Sequence, residues 1–336
     1  MKTLSKKTIT IIIILLLFIL ISSVYFVSVI NNPLKGNEDI VVRVEDGDNF
    51  YSIINKLAED KKLKSVPIIK LYVKVLDKSV DVKPGEYLLS NGSSVEEIIN
   101  ALNTESSLNK VKFTVPEGYS IEDIASKLED EGICSKNDFI LAVKEYPLPS
   151  YVKPNEEKRY NLEGYLFPDT YIIEIGETPK EIINKMIKRF EEMLDEASKA
   201  TNVTVKDEDI ETVVTIASMI EKEARLDNER PTIASVIVNR LNIDMKLQID
   251  ATVIYALGKH VNIVTYDDLE IESPYNTYKN YGLPVGPISN PGIESIKATL
   301  KPESTDYLFY VLKDDNSHYF TNDDEDFLRK QEELGY

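Results

Sequence analysis

From Thr8 to Ile30 the chain carries no charged residue, and Ile11–Leu20 is apolar without a break. Wound as a helix at 1.5 Å per residue, such a run crosses a hydrocarbon core of about 30 Å. Everything else must fold around that segment. No second run of this kind occurs further along, so the chain beyond about residue 31 reads as a water-soluble region. Lys2, Lys6 and Lys7 precede the run. By the positive-inside rule this leaves residues 1–7 in the cytoplasm and the remainder outside it. A cleaved signal peptide is the competing reading, but its apolar core is usually shorter, and no A-x-A-like site follows. The expectation is a retained single span over 8–30 in the cell membrane.

The net charge is −18, and the anchor contributes only lysines, so the exposed region is more acidic still. A sequence-independent nucleic-acid binder needs a basic face, and none is foreshadowed here. Cys134 is the single cysteine, which excludes an intramolecular disulfide. With two histidines, His260 and His318, a histidine- or thiolate-based zinc site is disfavoured. No EF-hand-like loop is visible.

The N-terminal half contains two similar stretches. Val44-Glu-Asp-Gly47 leads into Ile53 and Leu57, and Val115-Pro-Glu-Gly118 leads into Ile124 and Leu128. Each reads as a short strand, a glycine turn, an amphipathic helix and a second helix. Between them, 83–89 reads as a turn and strand, and Ser94–Leu102 as a helix opened by a Ser94/Glu97 capping box. These are small α+β modules, with glycan binding or simple spacing as open roles. The segment Tyr146–Tyr160, with Pro147, Pro149 and Pro154, is expected to be the domain boundary, dividing 31–150 from 151–336. Beyond it, Thr178-Pro-Lys-Glu181 opens an amphipathic helix, another helix begins near Pro231, and strands are expected over 307–312 and 319–321. The fold class is α+β, with a helix-rich second domain.

Glu221 is the first candidate for chemistry. In Asp207–Arg225 the residues Ile210, Val213, Val214, Ala217, Ile220 and Ala224 share one helical face, and Glu221 falls on it. Glu223 points roughly 200° away. A carboxyl held against apolar neighbours stays protonated to higher pH and can act as a general acid. Around it come irregular loops dense in Tyr, Asn, Asp and Gln: 163–171, 247–253, 273–278 and 282–292. Aromatic faces stack on sugar rings, while amides and carboxylates bond to hydroxyl and N-acetyl groups.

With these motifs in this order, the chain resembles the endolytic murein transglycosylases, the MltG-type or YceG-like family of membrane-anchored cell-wall lyases. The resemblance covers nearly the full length and implies that the N-terminal region, with its Glu-Gly turn, is LysM-like. It also implies that the catalytic glutamate lies in Ser218-Met-Ile-Glu-Lys-Glu223, with Glu221 in that role. Val285 and the tail 321–327 depart from the family pattern, and no role is transferred to them. The implied reaction cleaves the β-1,4 bond between N-acetylmuramic acid and N-acetylglucosamine within glycan strands. One carboxyl suffices: Glu221 protonates the leaving oxygen, the substrate's C6 hydroxyl attacks C1, and Glu221 then accepts that hydroxyl's proton, giving 1,6-anhydro ends. No metal or cofactor is implied. The implied setting is nascent strands near the cell-wall synthases, where cleavage would terminate elongation. Glu163, Asp169, Gln248, Asp250, Tyr275, Asn276 and Tyr278 are candidates for sugar contacts or for orienting Glu221. Two alternatives stand: a hydrolytic muramidase with Asp250 or Asp169 as second carboxylate, and a non-catalytic wall-binding scaffold. His318 reads as a structural or cleft-edge residue.

Overall fold

The computed structural model describes residues 6–335 apart from 37, 46, 77–79, 105–109, 175, 260 and 262–263. Lys2, Asp46 and His260 lie outside the described residues, as does the Lys6 side chain. Helices alternate with small two-stranded sheets, and the chain divides into two compact units, Met1–Val111 and Lys112–Tyr336.

The first unit opens with α1 (Lys6–Asn31). Within it, Thr10–Asn31 is long and apolar enough to cross a membrane, and its side chains from Ile11 to Tyr25 face outward. Next come β1 (Ile40–Val44), α2 (Phe50–Glu59), α3 (Val66–Val75), β2 (Gly85–Leu89) and α4 (Val95–Asn103). β1 and β2 pair antiparallel, with Ile40 opposite Leu89 and Val44 opposite Gly85. The period of two along β1 turns Ile40, Val42 and Val44 inward. There they meet Ile53, Ile54 and Leu57 of α2 and Ile98 and Leu102 of α4. Val29 and Ile30, in the last turn of α1, are buried in the same core. Capping boxes start α2 (Asn49 with Ser52) and α4 (Ser94 with Glu97), satisfying backbone donors that a helix start leaves free.

In the second unit, β3 (Lys110–Thr114) pairs with β4 (Thr170–Glu174). Between them lie α5 (Ile121–Asp130) and α6 (Lys136–Glu145). There follow α7 (Pro179–Thr201), α8 (Asp207–Glu223), α9 (Arg230–Asn242), α10 (Asp250–Leu257), α11 (Tyr266–Leu269) and α12 (Ile293–Leu300). The unit ends with β5 (Phe309–Leu312), β6 (His318–Thr321) and α13 (Asp324–Leu334), β5 and β6 pairing antiparallel.

The two similar stretches of sequence both fold as strand, turn and helix pair, but they fall in different units. The expected division at 150/151 is therefore displaced to 111/112. The cause is apolar burial: Ile121, Ile124, Leu128, Phe139 and Val143 of α5 and α6 share a core with Leu162, Leu166, Ile182 and Met186. The proline-rich segment runs through this unit, with Val152 and Tyr160 buried.

Helix α8 also differs from the expected one-sided stripe. Every residue from Val213 to Ile220 is buried, because α9, α10 and α12 all pack against it. Position on an apolar face therefore does not distinguish its residues. Gly164 shows how closely the surrounding loops approach. Its φ is +90°, and an added Cβ would lie 2.6 Å from Val214 Cγ1 and 2.7 Å from Pro287 Cβ. Gly164→Ala combines left-handed strain with overpacking, and differential scanning calorimetry should show Tm lowered by roughly 6–12 °C. A shift below about 2 °C would mean that the loop yields to the added methyl group.

Candidate active site

The last turn of α8 carries two carboxylates that enter different surroundings. Glu221 is held by the protein itself. Its Oε2 accepts hydrogen bonds from the Gly292 backbone N–H (3.0 Å) and Ser295 Oγ (2.8 Å), and it pairs with Arg230 Nη1 at 3.1 Å. Its side chain is 6% exposed and that of Arg230 9%. The apolar setting expected for Glu221 is thus replaced by a buried ion pair. An added Cβ at Gly292 would run into the Glu117 carboxyl, so the Glu-Gly turn closes over this same spot.

Glu223, two residues on, opens into a cleft of about 540 Å³. Tyr310 of β5 donates a hydrogen bond to Glu223 Oε2 at 3.0 Å. Burial pushes the Glu223 carboxyl up to about 7, with Asp250 adding repulsion, while the Tyr310 hydrogen bond and the charges of Arg225 and Arg240 oppose the rise. A carboxyl poised near neutrality in a cleft is suited to proton transfer. The single-face argument missed Glu223 because α8 has no solvent face where this acid lies. The spacing Glu-x-Glu at a helix end carried a usable signal, since two acids so close in sequence must diverge in direction.

Arg240 of α9 fixes the walls of the cleft. Its Nε donates to Leu308 O (2.6 Å) and its Nη1 to Leu247 O (2.7 Å), joining the strand that bears Tyr310 to the loop that bears Gln248. Gln248 is exposed at φ +50°, a conformation disfavoured for any residue with a side chain, while its neighbours Leu247 and Ile249 are buried. Thr277 holds this loop from the other side, accepting from Gln248 N through its carbonyl (3.2 Å) and from Ile249 N through Oγ1 (3.0 Å). Asp250 begins α10 and accepts a hydrogen bond from the Tyr278 hydroxyl. Gln248, Asp250 and Tyr278 thus gather with Glu223 along one cleft. Phe309, Phe327 and His318 also line it, contributed by β5, α13 and β6.

The other four candidates lie elsewhere. Glu163 is buried, accepting from Ile121 N (3.0 Å), Asn290 Nδ2 (3.2 Å) and Tyr255 OH (2.8 Å). Burial lifts its carboxyl to about 8 against the pull of the Tyr255 and Ile121 hydrogen bonds. Tyr275 OH accepts from Arg159 N at 3.2 Å, and its ring meets Tyr255 edge-on. Asn276 is fully buried and donates to Leu269 O and Ile271 O. Asp169 pairs with Arg189 at 2.6 Å. These four knit loops together in this conformation. Among the described residues, no cluster of His, Cys, Asp and Glu suited to a metal ion is found.

The model of the YceG-like family matches residues 42–333. The chain belongs to the YceG-like family. An endolytic murein transglycosylase of Bacillus subtilis (strain 168) is 36% identical over 83% of this chain and 80% of its own length. One of Streptococcus pneumoniae (strain D39) is 32% identical over 88% of this chain, which spans 59% of that longer relative. The crystal structure of a YceG-like protein from Listeria monocytogenes superposes with a TM-score of 0.58 at 32% identity, covering 88% of this chain and all of the other.

The two carboxylates should respond oppositely to amidation. The folded-state pKa of Glu223, about 7, lies above its ordinary value of 4.5. Its contribution to stability is therefore greatest below pH 4.5 and is lost as the pH rises toward 7. Glu223→Gln should raise Tm by a few degrees at about pH 8 and leave it unchanged at about pH 4. Glu221→Gln deprives buried Arg230 of its partner and should cost about 3 kcal/mol at neutral pH, read by denaturant unfolding.

Proposed function

We propose that the protein is a membrane-anchored endolytic murein transglycosylase in which Glu223 is the proton donor. Glu223 protonates the leaving oxygen of the β-1,4 bond between N-acetylmuramic acid and N-acetylglucosamine. The muramic C6 hydroxyl attacks C1, and its proton passes to a base in the cleft. The products are strands with 1,6-anhydro ends. The relatives' names support the substrate and reaction class. The observation that carries the assignment within the chain is the Glu223 carboxyl, raised to about 7, in the cleft that also collects Gln248, Asp250 and Tyr278. A tethered hydroxyl nucleophile makes a second carboxylate dispensable. Glu221, already saturated by Arg230, Ser295 and Gly292, has the bonds of a structural ion pair and serves to anchor the last turn of α8.

Under this reading α1 spans the membrane with its N-terminus in the cytoplasm, and the strand–helix–helix–strand unit at its end is the LysM-like part. Residues 112–336 are the catalytic body. The anchor keeps cleavage on strands emerging close to the synthases, terminating their elongation. A second reading is hydrolysis of the same bond. It is favoured by one observation: Asp250 lines the same cleft and lies close enough to raise Glu223.

The test incubates the full-length protein in detergent micelles with uncrosslinked glycan strands and analyses the products by mass spectrometry. The expected products are internal fragments with 1,6-anhydromuramic ends, reduced ~100-fold or more by Glu223→Gln. Glu221→Gln should keep most activity per folded molecule. Reducing muramic ends would instead assign hydrolysis and make Asp250 the second carboxylate. Loss of activity in a well-folded Glu221→Gln protein, with Glu223→Gln active, would return the acid role to Glu221.

A further inference from the structure

His318 begins β6, and its ring forms part of the cleft wall beside Glu223. Behind it stands Glu229, in the 3-10 turn before α9 and outside the cleft lining. Both residues are largely buried, and two contacts join them: His318 N to Glu229 Oε1 at 3.0 Å and His318 Nδ1 to Glu229 Oε2 at 2.7 Å. The backbone N–H is an obligatory donor, so Oε1 must accept from it. The other oxygen of an ionised carboxylate is also acceptor-only, so Nδ1 must carry a hydrogen. That leaves Nε2 as the ring's exchangeable position, on the edge turned away from Glu229. The other close neighbours are the Tyr310 ring, edge to face at 5.4 Å, and Phe320 at 6.0 Å. Tyr310 is the residue whose hydroxyl donates to Glu223. Arg240, Asp250 and Asp324 are the other charged groups along the cleft.

We propose that His318, held in the Nδ1–H tautomer by Glu229, is the base that receives the proton of the attacking sugar hydroxyl. This rests on the transglycosylase reading. The C1–O4 bond breaks first, leaving an oxocarbenium ion at C1, and the C6 oxygen then bonds to C1 from the face that the leaving sugar has vacated. The electron pair of the broken bond leaves on O4, which takes the proton of Glu223. The C6 hydroxyl proton moves to His318 Nε2, and the imidazolium faces the Glu229 carboxylate. Exchange with water then returns His318 to neutrality and reprotonates Glu223. His318 is a catalytic residue in this scheme, and Glu229 a positioning residue.

Glu229→Gln gives the decisive variant. A glutamine has one acceptor oxygen; with the backbone N–H occupying it, the amide NH₂ faces Nδ1 and forces the proton to Nε2. The ring then presents a donor where the reaction needs an acceptor. Full-length protein labelled with ¹⁵N-histidine in micelles can be read by long-range proton–nitrogen correlation, with His260→Gln identifying the two signals. The neutral wild-type ring should be protonated at Nδ1, and the Glu229→Gln ring at Nε2. With uncrosslinked glycan strands, Glu229→Gln and His318→Gln should each lower kcat ~100-fold or more, with KM changing by less than ~3-fold. A purely structural pair would not couple tautomer to kcat. A wild-type ring protonated at Nε2, or a flipped tautomer with kcat intact, would overturn the proposal. Wild type yielding only reducing ends would remove the hydroxyl nucleophile and this role with it, a failure seen in the product and distinct from the tautomer result.

Discussion

The site depends on the enclosure of α8. From Val213 to Ile220 every side chain of this helix is covered by neighbouring elements, so polar chemistry can emerge only where the helix ends. Two glutamates sit in that last turn, and a buried carboxylate must either be neutralised by a partner or resist ionisation. Glu221 takes the first course through Arg230, and Glu223 the second in a cleft wall. The same helix end thus yields a buried ion pair and a carboxyl that resists ionisation, from identical side chains.

Two buried polar hubs hold the remainder of the second unit around that helix. Glu163 gathers the first turn of α5, the Asn290 amide and the Tyr255 hydroxyl, three segments remote from one another in sequence. Arg240 does the complementary work with donors, binding the carbonyls of Leu247 and Leu308. Each group is costly to bury and has its partners arranged on several sides, so removing either would leave several segments short of hydrogen bonds. Such hubs supply the rigidity that an exposed, left-handed Gln248 requires.

Much of the architecture was legible in the sequence because it follows from local rules. The apolar run to Ile30, the Ser94/Glu97 and Thr178/Glu181 capping boxes and the strands near Tyr310 and Tyr319 appear where periodicity and capping chemistry place them. The similar stretches also fold alike, yet the sequence did not tell which core each would join. That depends on burial of Ile121 and Phe139 against residues many positions away. The cleft was partly legible: Gln248, Asp250 and Tyr278 converge there, whereas Asn276 and Glu163 turn inward to serve the backbone. Glu223 and the contributions of β5 and α13 escaped notice because tertiary packing decides them. A periodicity argument assumes one buried face, and α8 has more than one.

The apolar N-terminal helix has a further consequence for how the molecule is built. Val29 and Ile30, at its last turn, lie in the core of the first unit with Leu34, Ile53 and Ile69. The exposed apolar segment therefore runs as one continuous helix into the core of the folded unit, without slack between them. With α1 spanning a bilayer as proposed, its rotation or tilt would be transmitted to that unit as a lever, and bilayer thickness would become a variable that sets how the unit is presented.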